Sequence, residues 1–158
     1  MEKAVLQTPI GKIVIEGDTK GLTSLRIVSN ETNLISTTYS NTLKEAITQL
    51  QEYFEGTRKK FSLTLNPKGT DFQLKVWQKL LEIPYGTTIS YQQLTQNLGD
   101  PKAIRAVANA NGKNPLWIII PCHRVIGADG SLTGYAGELW RKKWLLEHEN
   151  PSPQQQLF

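Results

Sequence analysis

The chain is poor in the residues that cross-link or chelate. Its 158 residues include one cysteine and two histidines, which excludes an internal disulfide and a cysteine-rich zinc site, so no metal or other cofactor is expected and an intracellular protein is. No stretch approaches the roughly 18 apolar residues of a membrane span, and Met1-Glu2-Lys3-Ala4-Val5 opens no apolar signal region. The expectation is a soluble cytoplasmic monomer with no membrane partner. Strong charge is also missing. The net charge is +4, with eight Lys/Arg against seven Asp/Glu in residues 1–66 and ten against seven in 67–158. A polyanion partner therefore belongs with the second part, although so small an excess does not establish nucleic-acid binding. The length suits one ordinary domain or two small ones.

The single cysteine lies in Ile118-Ile119-Ile120-Pro121-Cys122-His123-Arg124-Val125-Ile126. A thiol beside an imidazole and a guanidinium after an apolar run is a candidate nucleophile, because a base or a positive charge favours the thiolate. Taken alone it reads more readily as an inert buried cysteine, since free cysteine is among the most buried residue types.

Residues 3–8, 11–17 and 22–28 alternate apolar and polar side chains around glycine turns, predicting a small antiparallel sheet. Leu43, Ile47, Leu50 and Phe54 then recur at helical spacing up to Gly56. Phe61–Leu65 alternates again as a short strand, and Asn66-Pro67-Lys68-Gly69 reads as a linker. This divides the chain into a scaffold domain over 1–66, a linker over 67–71, a mainly helical domain over 72–150 and a disordered tail over 151–158, an α/β (α+β) fold.

Beyond the linker, Thr70 and Gln73 have capping-box spacing ahead of an apolar face of Phe72, Val76, Trp77, Leu80 and Leu81. Ser90 and Gln93 open a second helix that Gly99 closes, and Asp100 as N-cap with Pro101 in the first turn opens a third about two residues later. Two helices so closely joined describe a helix-turn-helix, although ordinary bundles pack helices this way too. Ala103, Ala106, Ala108 and Ala110 keep the last of these helices slim, and Lys102, Arg105 and Lys113 add charge. That combination fits minor-groove binding better than major-groove reading. Trp117–Ile120 reads as a buried extended run, and 127–130 and 133–137 as glycine loops able to wrap a pocket. A final helix over about 138–149 turns Trp140, Trp144, Leu145 and His148 inward, and all four tryptophans are assigned to core packing.

The second half resembles the 6-O-alkylguanine-DNA alkyltransferases, also called methylated-DNA-protein-cysteine methyltransferases. The match runs through Phe72-Gln73, Val76-Trp77, Ile83-Pro84-Tyr85-Gly86, Ser90-Tyr91, Arg105-Ala106-Val107, Ala110-Asn111-Gly112, Asn114-Pro115, Pro121-Cys122-His123-Arg124-Val125, Thr133–Gly137, Leu145-Leu146 and Glu149. The resemblance implies a ribonuclease H-like N-terminal domain and a repair protein that flips 6-O-alkylguanine out of duplex DNA, bound through its minor groove. Cys122 would take the alkyl group once and keep it as a thioether. His123 would accept the thiol proton through a water, Glu149 would hold His123, and Tyr91 would protonate the departing guanine. Arg105 would fill the vacated space in the duplex, with Lys102 and Ala106 on the same DNA-facing element, and Asn114 would tie the recognition helix to the active-site loop. The carbonyls of Cys122 and Val125 and the N–H of Ala136 would contact the base. Ala108 and Glu138 stand where relatives frequently have glycine. A structural ion pair is the role expected of Arg124. Two other readings stand beside this one, a lesion binder that needs no thiol and a cysteine hydrolase; direct Cys-His neighbours are an unusual hydrolase pair.

Overall fold

The computed structural model describes residues 2–29, 40–130 and 138–151. The chain is mixed α/β and divides into two compact units, Met1–Lys68 with Pro115–Ile119, and Gly69–Asn114 with Ile120–Phe158. The loop over 133–137, with Ala136, and the tail beyond Pro151 lie outside the described residues.

The first unit is built on an antiparallel sheet in the order β1 (Glu2–Thr8), β2 (Gly11–Asp18), β3 (Gly21–Val28). Ile13, Val14 and Ile15 of the central strand are buried in succession, so both of its faces are covered. Helix α1 (Asn41–Glu55) packs on the sheet and ends at Gly56, whose φ of 87° supplies the left-handed stop. Its buried face is Leu43, Ala46, Gln49, Leu50 and Tyr53 rather than the predicted stripe through Ile47 and Phe54. The stripe turns because Tyr53, not Phe54, reaches inward, stacking against Phe61 with ring centroids 5.5 Å apart.

Phe61–Leu65 does not form the predicted strand. It makes one bridge, Leu65 to Leu22 of β3, and the buried Gln49 carboxamide replaces a ladder, its Nε2 donating to Ser62 O and its Oε1 accepting from Ser62 N–H. Gly21 permits this approach, since a Cβ there would lie 2.7 Å from Thr64 O. Further along the same edge Leu25 bridges Leu116. Trp117–Ile120 is buried or half-buried as predicted but is not extended. Ile119 N–H donates to Trp117 O across Ile118 at φ 73°, the rarer and strained form of γ-turn. A β-branched residue at positive φ is an outlier that only firm surroundings maintain.

In the second unit, helix α2 (Asp71–Leu80) carries the complete capping box between Thr70 and Gln73. Val76, Trp77 and Leu80 are buried, whereas Phe72 and Leu81, at its two ends, are exposed. Strand β4 (Ile89–Ser90) leads into α3 (Tyr91–Asn97), capped by Ser90 Oγ accepting from Gln93 N–H. Helix α4 (Ile104–Gly112) packs on both α2 and α3, and Trp77 Nε1 donates to Ala110 O. The turn between α3 and α4 is longer than predicted. Asp100 Oδ1 accepts from Lys102 N–H and Asp100 O from Ala103 N–H, so residues 100–103 form a side-chain-closed turn and Asp100 is no N-cap. Pro101 and Lys102 consequently precede the helix. A 3₁₀ turn (Cys122–Arg124), strand β5 (Val125–Ile126), parallel to β4, and helix α5 (Leu139–Glu149) complete the unit. Among the described residues no helix is long and apolar enough to cross a membrane.

Glu138, ahead of α5, sits at φ 76° and ψ 147°, a region adopted almost only by glycine and costing about 1–3 kcal/mol for other residues. Its carboxylate contacts, Trp140 Nε1 at 3.1 Å and Arg141 Nη1 at 3.6 Å, are exposed and offset little of that. Glu138→Gly relieves the strain against a glycine entropy cost of about 0.5–1 kcal/mol. The expected outcome is a net stabilisation of about 1 kcal/mol in urea denaturation; a destabilised variant would contradict the strain.

Candidate active site

Four local devices bring the second unit's polar residues together. Pro121, at φ −81° and ψ 64°, lies at the centre of an inverse γ-turn closed by Cys122 N–H to Ile120 O at 2.8 Å. The 3₁₀ turn then presents Cys122, His123 and Arg124 in succession, all three buried. The β4–β5 pairing sets the start of α3, and so Tyr91, beside this segment. Helix α5 turns Lys142, Leu145 and Glu149 inward, at i, i+3 and i+7. This corrects the predicted inward face of α5. Trp140 is 49 % exposed and Trp144 stacks on His148 at the helix's half-exposed flank, because the face that this helix buries is largely charged.

The Glu149 carboxylate is the centre of the cluster. His123 Nε2 lies 2.7 Å from Oε2, Arg124 Nε 2.8 Å from Oε1 and Arg124 Nη2 3.0 Å from Oε2. Arg124 therefore makes the ion pair expected of it, in forked form, while its Nη1 donates to Ile83 O at 2.7 Å. Gly86 N–H approaches Oε1 at 3.4 Å, and the Tyr85 ring lies 5.7 Å from the guanidinium. The Ile83-Pro84-Tyr85-Gly86 turn thus braces both partners. Burial alone would raise the Glu149 carboxyl, but the hydrogen bonds from His123 and Arg124 and the Arg124 charge outweigh it and hold the group far below the usual carboxylate range.

The same arrangement keeps His123 neutral. Burial pushes its imidazole below the ordinary value; Glu149 opposes this, but Arg124 and Lys142 both repel an imidazolium. Because Glu149 is ionised and already neutralised by Arg124, Nε2 carries the proton and donates it to the carboxylate, leaving Nδ1 as a lone-pair acceptor. Nδ1 has no hydrogen-bond partner among the described residues.

Burial pushes the Cys122 thiol up to about 11, a hydrogen bond from the Asn114 side chain and the charge of Lys142 pulling the other way. The resting group is a protonated thiol, and it needs a base at the moment of reaction. Asn114 Nδ2 also donates to Ile120 O at 2.7 Å, tying the end of α4 to the cysteine-bearing turn. Among the other predicted contacts, Val125 O accepts from Lys142 Nζ at 2.6 Å, leaving its second lone pair, and Cys122 O lies 3.5 Å from Asn111 Nδ2. Arg105 and Ala106 at the start of α4 and Lys102 on the turn before it are exposed.

Lys142 was not singled out from the sequence. It is 0 % exposed, burial pushes it down to about 8, and its ammonium lies 5.8 Å from the Tyr91 ring centroid. The signal was present as a charged residue seven positions before Glu149, on the same helical face, but apolar spacing drew attention to the tryptophans instead.

The second unit thus buries a protonated thiol, a neutral imidazole and an ionised carboxylate. The family model "6-O-methylguanine DNA methyltransferase, DNA binding domain" matches residues 71–151, and "6-O-methylguanine DNA methyltransferase, ribonuclease-like domain" matches residues 1–67. A methylated-DNA–protein-cysteine methyltransferase of Methanosarcina acetivorans is 44 % identical over 94 % of this chain and 98 % of its own length. The constitutive enzyme of that name from Bacillus subtilis is 46 % identical over 92 % and 93 %. The crystal structure of Mycobacterium tuberculosis OGT in complex with DNA superposes with a TM-score of 0.85 at 42 % identity, covering 100 % of both chains. The chain belongs to the 6-O-methylguanine DNA methyltransferase family.

Folded Glu149 refuses a proton that the unfolded chain takes up near the ordinary value of 4.5. Its contribution to stability is therefore complete above that pH and is lost as the pH falls towards the lower native value. Glu149→Gln is expected to remove this acid slope and, by leaving the buried Arg124 without its counter-charge, to cost about 3–5 kcal/mol at neutral pH. Urea denaturation across the acid range checks both; a variant that keeps the parental slope would contradict them.

Proposed function

We propose that the chain is a DNA repair protein that transfers the alkyl group of 6-O-alkylguanine, chiefly 6-O-methylguanine, from duplex DNA to Cys122. The observation that carries this reading is the buried Cys122, His123 and Glu149 arrangement with Arg124 behind it, in a chain whose relatives are named for that transfer. The thiol proton passes through a water to His123 Nδ1 as sulfur attacks the alkyl carbon. The new S–C bond forms as the bond from carbon to the guanine oxygen breaks, and Tyr91 protonates the departing base. The product is a thioether with no hydrolytic exit, so each molecule acts once.

The lesion must leave the stack to reach a buried thiol. Helix α4 offers a slim, exposed edge at Arg105 and Ala106, suited to the minor groove, with Arg105 entering the space left by the flipped nucleotide and Lys102 on phosphate. Asn114 couples that helix to the reactive turn through Ile120 O. Val125 O and Cys122 O accept from the base's amino group. The lesion-binder reading leaves the buried base and carboxylate behind Cys122 without a task.

Mixing the protein with excess methylated duplex is expected to add one methyl group per molecule, at Cys122 by peptide mass spectrometry, and none to Cys122→Ala, which still binds. Repeated turnover or an unmodified Cys122 would contradict the reading. Arg105→Ala is expected to slow transfer from duplex DNA by about 10-fold or more, since flipping costs a few kcal/mol, while leaving transfer from the free alkylated base unchanged. Equal losses on both substrates would remove Arg105 from the flipping step.

A further inference from the structure

Among the described residues, two buried side-chain polar atoms have no hydrogen-bond partner, Asn111 Oδ1 and His123 Nδ1. Both belong to residues that adjoin Cys122. His123 follows Cys122 in the same 3₁₀ turn, and Asn111, on the last turn of α4 and 2 % exposed, directs Nδ2 towards Cys122 O at 3.5 Å. That contact sets the amide's orientation, because the flipped form would turn Oδ1 against another carbonyl oxygen.

An acceptor left unpaired in the interior costs about 1–3 kcal/mol. These two cannot satisfy each other, since Asn111 Oδ1 is a pure acceptor and the neutral imidazole has given its proton to the Glu149 side. The nearby donor is the Cys122 S–H, whose sulfur already accepts from Asn114. Two acceptors and one donor match the valence of one water molecule, which gives two O–H bonds and receives one.

We infer that Asn111 is a positioning residue for the transfer: its Oδ1, with His123 Nδ1, holds the water through which the Cys122 proton leaves. The inference rests on the function proposed above. In the step, the S–H proton moves to the water oxygen while that water's proton moves to Nδ1. The other O–H stays on Asn111 Oδ1 and keeps the water aligned. Asn111 touches neither the alkyl carbon nor the base, and it acts by removing the orientational freedom of the relay.

The charged groups that act on His123 are Glu149 and Lys142 on α5 and Arg124 on its own turn, where the Cys122 thiol is its neighbour. The buried face of α4 contributes Val107, Ala110 and Asn111, none of which titrates.

The test is single-turnover transfer from methylated duplex by the full-length protein, Asn111→Leu and Asn111→Ser, from neutral pH upward towards about 11, where Cys122 ionises. Asn111→Leu removes the acceptor and is expected to lose about 10- to 100-fold at neutral pH. The deficit narrows as the pH rises, since a thiolate needs no relay. Asn111→Ser keeps an acceptor and recovers most of the rate. Binding of methylated duplex, measured in a Cys122→Ala background, is unchanged. The inference is overturned if Asn111→Leu reacts at the parental rate, if it is slowed by the same factor at every pH, or if both variants lose activity equally. If the parent protein itself transfers nothing to Cys122, the proposed function fails and takes this inference with it.

Discussion

The second unit depends on one buried carboxylate. Glu149 is the last residue of α5, where the helix dipole disfavours negative charge, and the interior disfavours it further. Its ionised state is sustained by the forked Arg124 guanidinium, the His123 N–H and the more distant N–H of Gly86. These donors come from two local devices: the 3₁₀ turn carries His123 and Arg124, and the turn after α2 carries Gly86 and braces Arg124 through Ile83 O. The carboxylate therefore holds α5, the cysteine-bearing turn and the segment before β4 in one arrangement. Replacing such a pair with apolar residues is often neutral or stabilising, whereas removing one partner is costly. Its retention here is explained by what it does to the imidazole.

Because Arg124 has already neutralised Glu149, the carboxylate can orient His123 without holding it as a cation. Lys142, buried on the same helix face, opposes an imidazolium from another direction. The result is a base that is empty at rest beside a thiol that is full at rest. A cysteine stored as thiolate would react with any electrophile that reached it. A thiol raised to about 11 by burial does not, and under the proposed transfer it is held until a relay and a substrate are both in position. This suits the single transfer proposed for Cys122.

The strands of the first unit, the stop at Gly56, the Thr70–Gln73 capping box and the Ser90 cap were legible because each rests on local pattern or local hydrogen bonds. The failures share a cause. Phe61–Leu65 looked like a strand, but a side chain from α1, Gln49, took its hydrogen bonds. Asp100 looked like an N-cap, but its carboxylate closed a turn three residues early. The inward face of α5 was misjudged because apolar spacing cannot reveal a helix that buries Lys142 and Glu149. In the candidate site, Cys122 and His123 stood out as a thiol beside a base, whereas Glu149 and Asn114 were named only through the family motif. Asn111 and Lys142 were missed because their importance lies in which partners they have or lack in three dimensions.

The central claim is that His123 is a neutral base with its proton on Nε2, and ¹⁵N NMR of the histidine rings in the unreacted protein tests it most directly. The account predicts a protonated Nε2 and an unprotonated Nδ1 at neutral pH, with imidazolium appearing only below the ordinary histidine value of 6.5. A doubly protonated His123 ring at neutral pH, or a proton on Nδ1 with Nε2 bare, would contradict it.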